Sequence, residues 1–572
     1  MSVASSSTPS QEKAELVADV ACADSLKANL RDGWRMTDAI LFLADRYRRW
    51  VWAFLILLYA MGTNFQWRLG IDSMQFAIIA RYVAEGDGFW HPYAMDQHVH
   101  PALIYLVAAS FKIFGAGVIW PVIVFVEIAA GFALWLTYRV FVLHSGRPTA
   151  VLLTLMVGIN MQIFLHAFTV LNGIPFLAGT MLLLLGYERL AISCGSDVSK
   201  ENTWCSWLLM VGGLVVMAGF RLVVVTVGGA WVLAMVWHAI RSEKSWRNIG
   251  LMLAVVFVLV GLRLADPRGG SGGGEHDGDW MLPRERYIVD RVWSTLAVSL
   301  NEHVPVNTVI LLEDSTPNAL FGNEIAPVLD GVISIIVLGA GFWLMRKRPL
   351  WGLLVLAMVL QWLFFLPDPR YFLPVIPLLA FVWWKLTVAA EGFWLLRARR
   401  VLQVDDVDGD VKVSDSPELK SKLLFHVRLS RAAACVMLVL WLGTNGARVV
   451  GLIVEQRRVP FVDHYDEGRF RGLEAFAMKV RSEVAEDAWI VGPVKISTPV
   501  MYWSRRHVFP AWANYLIPNN VTPSYIILPQ QADAKAIVDN QGWKVGEEVV
   551  SEVADQGGNR WSLHRLIVSA KP

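Results

Sequence analysis

The feature that most constrains the fold of this chain is a series of apolar segments, each about 20 residues long, that recurs between residues 50 and 450. A helix of that length crosses the hydrocarbon layer of a membrane. Lys and Arg collect in alternate connections between the segments, and connections of that kind stay on the cytoplasmic side. The sequence therefore predicts a polytopic α-helical membrane protein.

Following the basic connections along the chain gives about eleven transmembrane helices. Every strongly basic connection then falls on one side, and a miscounted span would spoil this agreement. The predicted spans are about 50–68, 119–142, 149–167, 174–192, 205–220, a sixth that ends near 240, 249–264, 328–345, two between 349 and 399, and a last one within 426–450.

This topology divides the chain into five parts. They are a cytoplasmic polar tail (1–45), a membrane domain (46–399) with outer loops at 69–118 and 265–327, a cytoplasmic linker (400–425), the last transmembrane helix (426–450) and an outer domain (451–572). In the outer domain the short apolar runs "AWIVGPV" and "SYIILP" alternate with the helical pattern "RFRGLEAFAMKVRSEV". A small C-terminal α/β extramembrane domain is expected.

Composition excludes several classes of protein. Of the 572 residues, 55% are hydrophobic and only 17% are charged, so a soluble protein of this length would lack a charged exterior. The 51 basic and 49 acidic residues balance, which gives no reason to expect a nucleic-acid partner. Four cysteines without close pairing predict neither a zinc site nor a disulfide framework. The polar N-terminal region shows no removable signal peptide, so the first span is expected to act as the insertion signal.

The stretch "RLGIDSMQFAIIARYVAEG" places an acid, Asp72, directly after the first span. One interpretation makes Asp72 the N-cap of a helix at about 73–84, with Gln75 completing a capping box. The other makes it a catalytic carboxylate held at a helix start. In both interpretations the helix is expected to be amphipathic and to lie along the membrane surface.

The same outer loop carries three histidines, His91, His98 and His100. A His-x-His pair places two imidazoles on one face of a strand, as in some metal sites. Asp96 is the only further ligand at motif spacing, so a contact to phosphate or a hydrogen-bonded loop is favoured over zinc.

Two arginines stand where apolar runs meet the outer side: Arg221 in "VMAGFRLVVVTVGG" and Arg370 in "PDPRYFLPVIP". Such arginines commonly extend to lipid headgroups. A charge flanked by apolar sequence is costly without a partner, and an anionic ligand in a cavity is the alternative.

Three stretches together, "GIDSMQFAIIARYVAEGDGFWHPY", "HVHPALIYLVAASFKIFG" and "RYFLPVIP", resemble the GT-C superfamily of membrane glycosyltransferases. The subgroup that uses polyprenyl-phosphate sugars, such as aminoarabinose and protein mannosyl transferases, is the most similar. The resemblance implies Asp72 as the catalytic acid/base. It also implies that His91 and His100 contact the donor or acceptor, and that Arg221 and Arg370, with the neighbouring Tyr371, hold the lipid phosphate.

The chain departs from the family pattern at two positions. Ser73 and Asn172 stand where members commonly carry acids, so no metal ligands are assigned and a divalent-metal cofactor is in doubt. The expected partners are a polyprenyl-phosphate-linked sugar, a lipid, glycan or protein acceptor, and membrane lipids.

The function expected from the resemblance is transfer of a hexosyl or pentosyl group to an acceptor hydroxyl at the outer face of the membrane, with inversion. The expected location is the inner cell membrane, with the C-terminal domain in the periplasm. The alternatives are a lipid or sugar transporter, against which the lack of a convincing internal repeat argues, and an inactive membrane scaffold, which Ser73 and Asn172 favour.

Overall fold

The computed structural model describes most of the membrane domain and the greater part of the C-terminal domain. The described residues are 35–63, 71–86, 101–193 without 116, 200–241 without 222, 308–311, 316–321, 327–364, 369–401, 417–458, 473–510, 523–529, 543–554 and 560–568.

Helices make up most of these ranges. In chain order they are α1 (Met36–Arg46), α2 (Arg48–Gly62), α3 (Ile71–Glu85), α4 (Pro101–Phe114), α5 (Trp120–Gly158), α6 (Met161–Ala167), α7 (Gly173–Ser193), α8 (Lys200–Phe220), α9 (Val224–Arg241), α10 (Thr316–Phe321), α11 (Pro327–Lys347), α12 (Pro349–Phe364), α13 (Ile376–Val401), α14 (Pro417–Leu438), α15 (Thr444–Arg458), α16 (Leu473–Glu483) and α17 (Val494–Ser504). A 3-10 turn, Pro369–Phe372, precedes α13, and a π-helical turn, Val439–Gly443, joins α14 to α15.

Several of the described helices are long and apolar enough to cross a membrane, which confirms a polytopic membrane protein. Five meet this condition: Trp120–Gly158, Gly173–Ile192, Thr203–Phe220, Ile376–Ala398 and Ser421–Val454. Shorter apolar helices lie at Pro101–Phe114, Val224–His238 and Pro349–Gln361. The total of about eleven spans stays a prediction, and the predicted span 249–264 lies outside the described residues.

Helix α5 folds back on itself at Gly146. This residue has φ 76°, a left-handed conformation that glycine adopts without steric cost. A Cβ added at Gly158 would lie 2.6 Å from Leu55 and 3.5 Å from Leu134. An unbroken helix would separate residues 134 and 158 by about 36 Å. The break confirms the predicted connection between the spans 119–142 and 149–167.

The connection at Gly146 is tied to the end of α1. Arg147 donates to Asp45 through Nε at 2.8 Å and through Nη2 at 3.0 Å. This pair lowers the pKa of the Asp45 carboxyl, because the guanidinium stabilises the charged form.

The start of α1 is held by α13. The buried carboxylate of Glu391 accepts hydrogen bonds from the backbone N–H of Met36 at 2.5 Å and of Thr37 at 3.2 Å. These N–H groups belong to the first helical turn and have no partner within the helix. Glu391 therefore caps a helix that lies more than 350 residues earlier in the sequence.

Helices α7 and α8 approach each other closely because glycines lie at their contact. A Cβ at Gly213 would lie 2.6 Å from the carbonyl oxygen of Gly179, and one at Gly186 would lie 2.5 Å from that of Ser206. Small residues let two membrane helices bring their backbones together, which increases van der Waals contact where no hydrophobic effect separates helix from lipid.

The C-terminal part contains one five-stranded sheet. Its strands are β1 (Trp489–Gly492), β2 (His507–Pro510), β3 (Tyr525–Pro529), β4 (Trp543–Ala554) and β5 (Arg560–Val568), in the order β2-β1-β3-β5-β4. Strand β1 pairs in parallel with β2 and β3, whereas β5 is antiparallel to β3 and β4. Both predicted strands and the helix between residues 473 and 483 are confirmed.

Helices α3 and α4 share one hydrophobic core with this sheet. The cluster joins Phe76, Ile78 and Ile79 of α3 to residues such as Phe476 and Val508 of the C-terminal domain. Because each side chain of this kind contributes about 1.5–3 kcal/mol when fully buried, separating the two parts would be costly. The C-terminal domain and the loop that contains α3 therefore lie on the same side.

This packing corrects the expected environment of α3. The pattern Met74, Ile78 and Tyr82 predicted a helix on the membrane surface, and those residues are indeed buried, at 0%, 1% and 4% exposure. Phe76 and Ile79, which lie on other faces, are also buried. A helix that is buried on several faces lies inside the protein rather than on a surface.

The helices before the C-terminal domain are longer than predicted. Helix α14 begins at Pro417, within the predicted linker 400–425, and α15 continues to Arg458, beyond the predicted end at 450. The linker therefore ends in a helix, while the assignment of the five parts to sides of the membrane stays a prediction.

Two exposed serines allow a test of which side of the membrane α14 and α16 lie on. In a variant without Cys22, Cys194, Cys205 and Cys435, Ser482→Cys in α16 should react with a membrane-impermeant thiol reagent in intact cells. Ser421→Cys in α14 should react only after the cells are permeabilised. Labelling of the Ser421→Cys variant in intact cells would contradict the predicted orientation.

Candidate functional site

An ion pair between Asp72 and Arg370 forms the centre of the site. Arg370 Nη1 donates to Asp72 Oδ2 at 2.5 Å, although 298 positions separate the two residues in sequence. The Asp72 side chain is 42% exposed and that of Arg370 is 27% exposed, so the pair is open to a ligand. Hydrogen bonds between charged groups are the strong ones.

Asp72 lies within the first turn of α3, which begins at Ile71. The interpretation as an N-cap of a helix starting at residue 73 is therefore wrong, because a cap residue precedes the helical turn. A negative charge in a first turn is nonetheless favourable next to the positive end of the helix dipole. Asp72 is therefore part of the first helical turn, where the helix dipole favours its negative charge, and it does not cap the helix.

Tyr371 contacts two guanidinium groups. The Cζ atoms of Arg221 and Arg370 each lie 5.0 Å from the centre of the Tyr371 ring. Arg370 Nη2 also donates to the Tyr371 hydroxyl at 3.4 Å. The aromatic ring holds both cations by cation–π attraction, so the two guanidinium carbons can be no further apart than twice that distance.

Arg221 follows the last residue of α8 and is oriented by Asn172. Its Nε donates to Asn172 Oδ1 at 3.3 Å, and Asn172 Nδ2 donates to the carbonyl oxygen of Phe220 at 2.7 Å. Asn172 is 6% exposed, so both of its contacts are sheltered from water. We call Asp72, Asn172, Arg221, Arg370 and Tyr371 the arginine–aspartate cluster.

The residues at the acid positions of the family do not fit a divalent cation. Ser73 is buried and donates its hydroxyl to the carbonyl oxygen of Val170 at 3.2 Å, and the Asn172 amide is used by Arg221 and Phe220. The charged group beside Asp72 is a guanidinium, which repels a metal ion. Within the described ranges no group of three His, Cys, Asp or Glu residues could hold a metal.

The structure brings together four of the six predicted site residues, namely Asp72, Arg221, Arg370 and Tyr371. The other two, His91 and His100, lie outside the described residues, as do His98 and Asp96. Their proposed contact with the donor or acceptor stays a prediction.

One further acid was missed in the sequence. Glu127 is a carboxylate within the apolar helix α5, and its Oε1 atom is buried without a hydrogen-bond partner among the described residues. A single charge inside a long apolar run was the available signal.

Comparisons with known proteins give matches in structure alone. No family model matches the chain, and no curated protein matches it in sequence. A crystal structure of ArnT from Cupriavidus metallidurans in the apo state aligns over 91% of this chain and 98% of its own, with TM-score 0.50 and 13% identity.

A second match is the oligosaccharyltransferase of Archaeoglobus fulgidus, tethered with an acceptor peptide that contains the NVT sequon. It aligns over 84% of this chain and 69% of its own, with TM-score 0.51 and 12% identity. Identities this low establish the fold and nothing finer. The chain therefore shares the fold of these two solved structures, in agreement with the fold that its sequence motifs predicted.

Proposed function

We propose that this protein is a membrane glycosyltransferase that moves a sugar from a polyprenyl-phosphate-linked donor to an acceptor hydroxyl at the outer face of the inner membrane. The observation that carries the proposal is the arginine–aspartate cluster, in which a carboxylate and two guanidinium groups meet around one aromatic ring. A fold can host many activities, so the argument rests on this site.

The two arginines suit a phosphate leaving group. When the bond between the anomeric carbon and the phosphate breaks, negative charge develops on the phosphate oxygens. Guanidinium groups donate paired hydrogen bonds in a fixed fork that matches these oxygens. Tyr371 keeps both cations in place before the donor arrives, so little reorganisation is needed when the charge develops.

The Asp72–Arg370 pair gives the site a resting state. With no donor bound, the guanidinium of Arg370 occupies one oxygen of the carboxylate. A bound phosphodiester competes for the same donor groups, and its oxygens can accept hydrogen bonds from both Arg221 and Arg370. Donor binding would therefore draw Arg370 away from Asp72 and leave the carboxylate able to accept a proton.

The reaction then needs a single displacement. The acceptor oxygen attacks the anomeric carbon from the face opposite the phosphate, and a new C–O bond forms there as the C–O bond to the phosphate breaks. Asp72 takes the proton of the acceptor hydroxyl, and the lipid phosphate leaves with the bonding electron pair. The configuration at the anomeric carbon inverts.

Metal chelation should leave this reaction unaffected. Because a guanidinium supplies the positive charge next to Asp72, transfer in excess EDTA should remain within about 2-fold of the untreated rate, well under the 10-fold that a loss of 1.4 kcal/mol in transition-state stabilisation would produce. The measurement is the initial rate before and after chelation, and again after added Mg²⁺ or Mn²⁺. A loss in EDTA that either metal restores would mean that ligands from elsewhere, such as the loop with His98 and His100, complete a metal site.

The test of the proposed function is transfer by the purified protein. Radiolabelled polyprenyl-phosphate sugars are incubated with candidate lipid, glycan and peptide acceptors, and the product linkage is identified. Formation of a new glycosidic bond by the wild type and not by Asp72→Asn supports the proposal. Movement of the lipid-linked sugar between leaflets without a new bond would instead identify a transporter. If the protein neither forms a bond nor moves the lipid, the scaffold is favoured.

A further inference from the structure

Helix α3 connects the proposed reaction centre to the C-terminal domain. Asp72 lies in its first turn and Tyr82 lies ten residues later, which is about 15 Å along the helix axis. The first end is fixed by the Asp72–Arg370 pair and by the Ser73 hydroxyl on Val170. The other end is held by different residues.

Tyr82 ends in a stack of three rings. Its ring is parallel to that of His507 within 8°, with 6.2 Å between the ring centres, and its hydroxyl shares a hydrogen bond with His507 Nδ1 at 3.3 Å. His507 also stacks with Trp489, with 4.8 Å between the ring centres and an interplanar angle of 20°. Tyr82 is only 4% exposed, so its contact with His507 is sheltered from water.

The stack is built into the sheet of the C-terminal domain. Trp489 and His507 are directly paired residues of the parallel strands β1 and β2. Helix α17, which connects these strands, also packs against α3. The position of Tyr82 is therefore set by two strands and their connecting helix, all of which belong to the C-terminal domain.

We propose that the C-terminal domain positions Asp72 by clamping α3 through the stack Tyr82–His507–Trp489. These are positioning residues and do not touch the substrate. The inference rests on the proposed function, since it assigns the domain a role in the same reaction. A rigid helix transmits a tilt at Tyr82 to the carboxylate, and a displacement of 1 Å at a reacting group lowers a rate by about 10²-fold.

The test compares two replacements of His507. His507→Ala removes the central ring of the stack, and kcat should fall by about 10- to 100-fold. The KM for the donor should stay within about 2-fold, because Arg221 and Arg370 are not on α3. His507→Phe keeps a ring between Tyr82 and Trp489 and should retain most of the wild-type kcat. The matched control is His564→Ala, which alters a histidine of the same sheet that is hydrogen-bonded to Ser562.

Amide hydrogen exchange of residues 71–85 provides a readout that is independent of activity. It should be faster in His507→Ala and unchanged in His564→Ala. A lower melting temperature with normal kcat per folded molecule would overturn the proposal, because the stack would then only stabilise the protein. If His507→Ala shows faster exchange but the wild type transfers no sugar, the proposed function is refuted and the contact between the C-terminal domain and α3 still stands. If exchange in His507→Ala is unchanged, the clamp is refuted.

Discussion

Replacing Asp72 with asparagine is expected to lower turnover by roughly 10²-fold or more, because asparagine cannot accept the proton of the acceptor hydroxyl. Donor binding should be retained or become tighter, since Arg370 no longer pairs with a charged carboxylate. The measurements are the initial rate of transfer and the equilibrium binding of the labelled donor to the same preparation. Tighter binding together with slower turnover is a combination that simple misfolding does not produce.

The control for this variant is Glu474→Gln. Glu474 is an exposed acid in the first turn of α16, so its replacement also removes a first-turn charge, worth about 0.3–1 kcal/mol of stability. Transfer by this variant should equal that of the wild type. A normal transfer rate in Asp72→Asn would remove Asp72 from the mechanism.

Replacing Arg370 with alanine is expected to reduce kcat/KM for the donor by about 10²- to 10³-fold, the usual cost of losing a group that stabilises developing charge. Arg370→Lys should recover only part of the loss, because lysine lacks the forked geometry that matches a phosphate. The variant should fold, since Asp72 is 42% exposed and can be hydrated without its partner. Inhibition by free polyprenyl phosphate should weaken in parallel.

The matched control is Arg147→Ala, which breaks the two hydrogen bonds to Asp45 beside Gly146. It removes an arginine from an aspartate pair away from the cluster, so donor use should not change. If Arg370→Ala uses the donor normally, the resting ion pair is a structural contact and the phosphate is bound elsewhere.

Much of the helical framework could be predicted from the sequence. Apolar length and basic connections are local features, so they predicted the break near Gly146 and the helices that follow. Arg221 and Arg370 could be selected because a charge beside apolar sequence needs a partner, and Asp72 because it directly follows the first span. The pairing of Asp72 with Arg370 could not be predicted, because the two residues are 298 positions apart in the sequence.

The environment of α3 shows a different limit. Its apolar periodicity indicates one buried face, and a membrane surface would satisfy that pattern as well as protein does. The additional burial of Phe76 and Ile79 comes from a core that includes α4 and residues beyond position 470. Similarly, Asn172 was interpreted as a missing acid, whereas the structure gives it a direct contact with Arg221 that its sequence position does not indicate.

The core that α3 shares with the C-terminal sheet has a consequence for biosynthesis. During translation α3 emerges about 400 residues before the strands that share its core. The apolar side chains of α3 that pack against these strands therefore stay exposed until then or are shielded by other factors. The packing around the helix that carries Asp72 is thus among the last parts of the molecule to be completed. A chain that stops before β1 would lack α17, so the part of α3 that packs against this helix would stay uncovered, which makes an incomplete product recognisable to quality-control proteases.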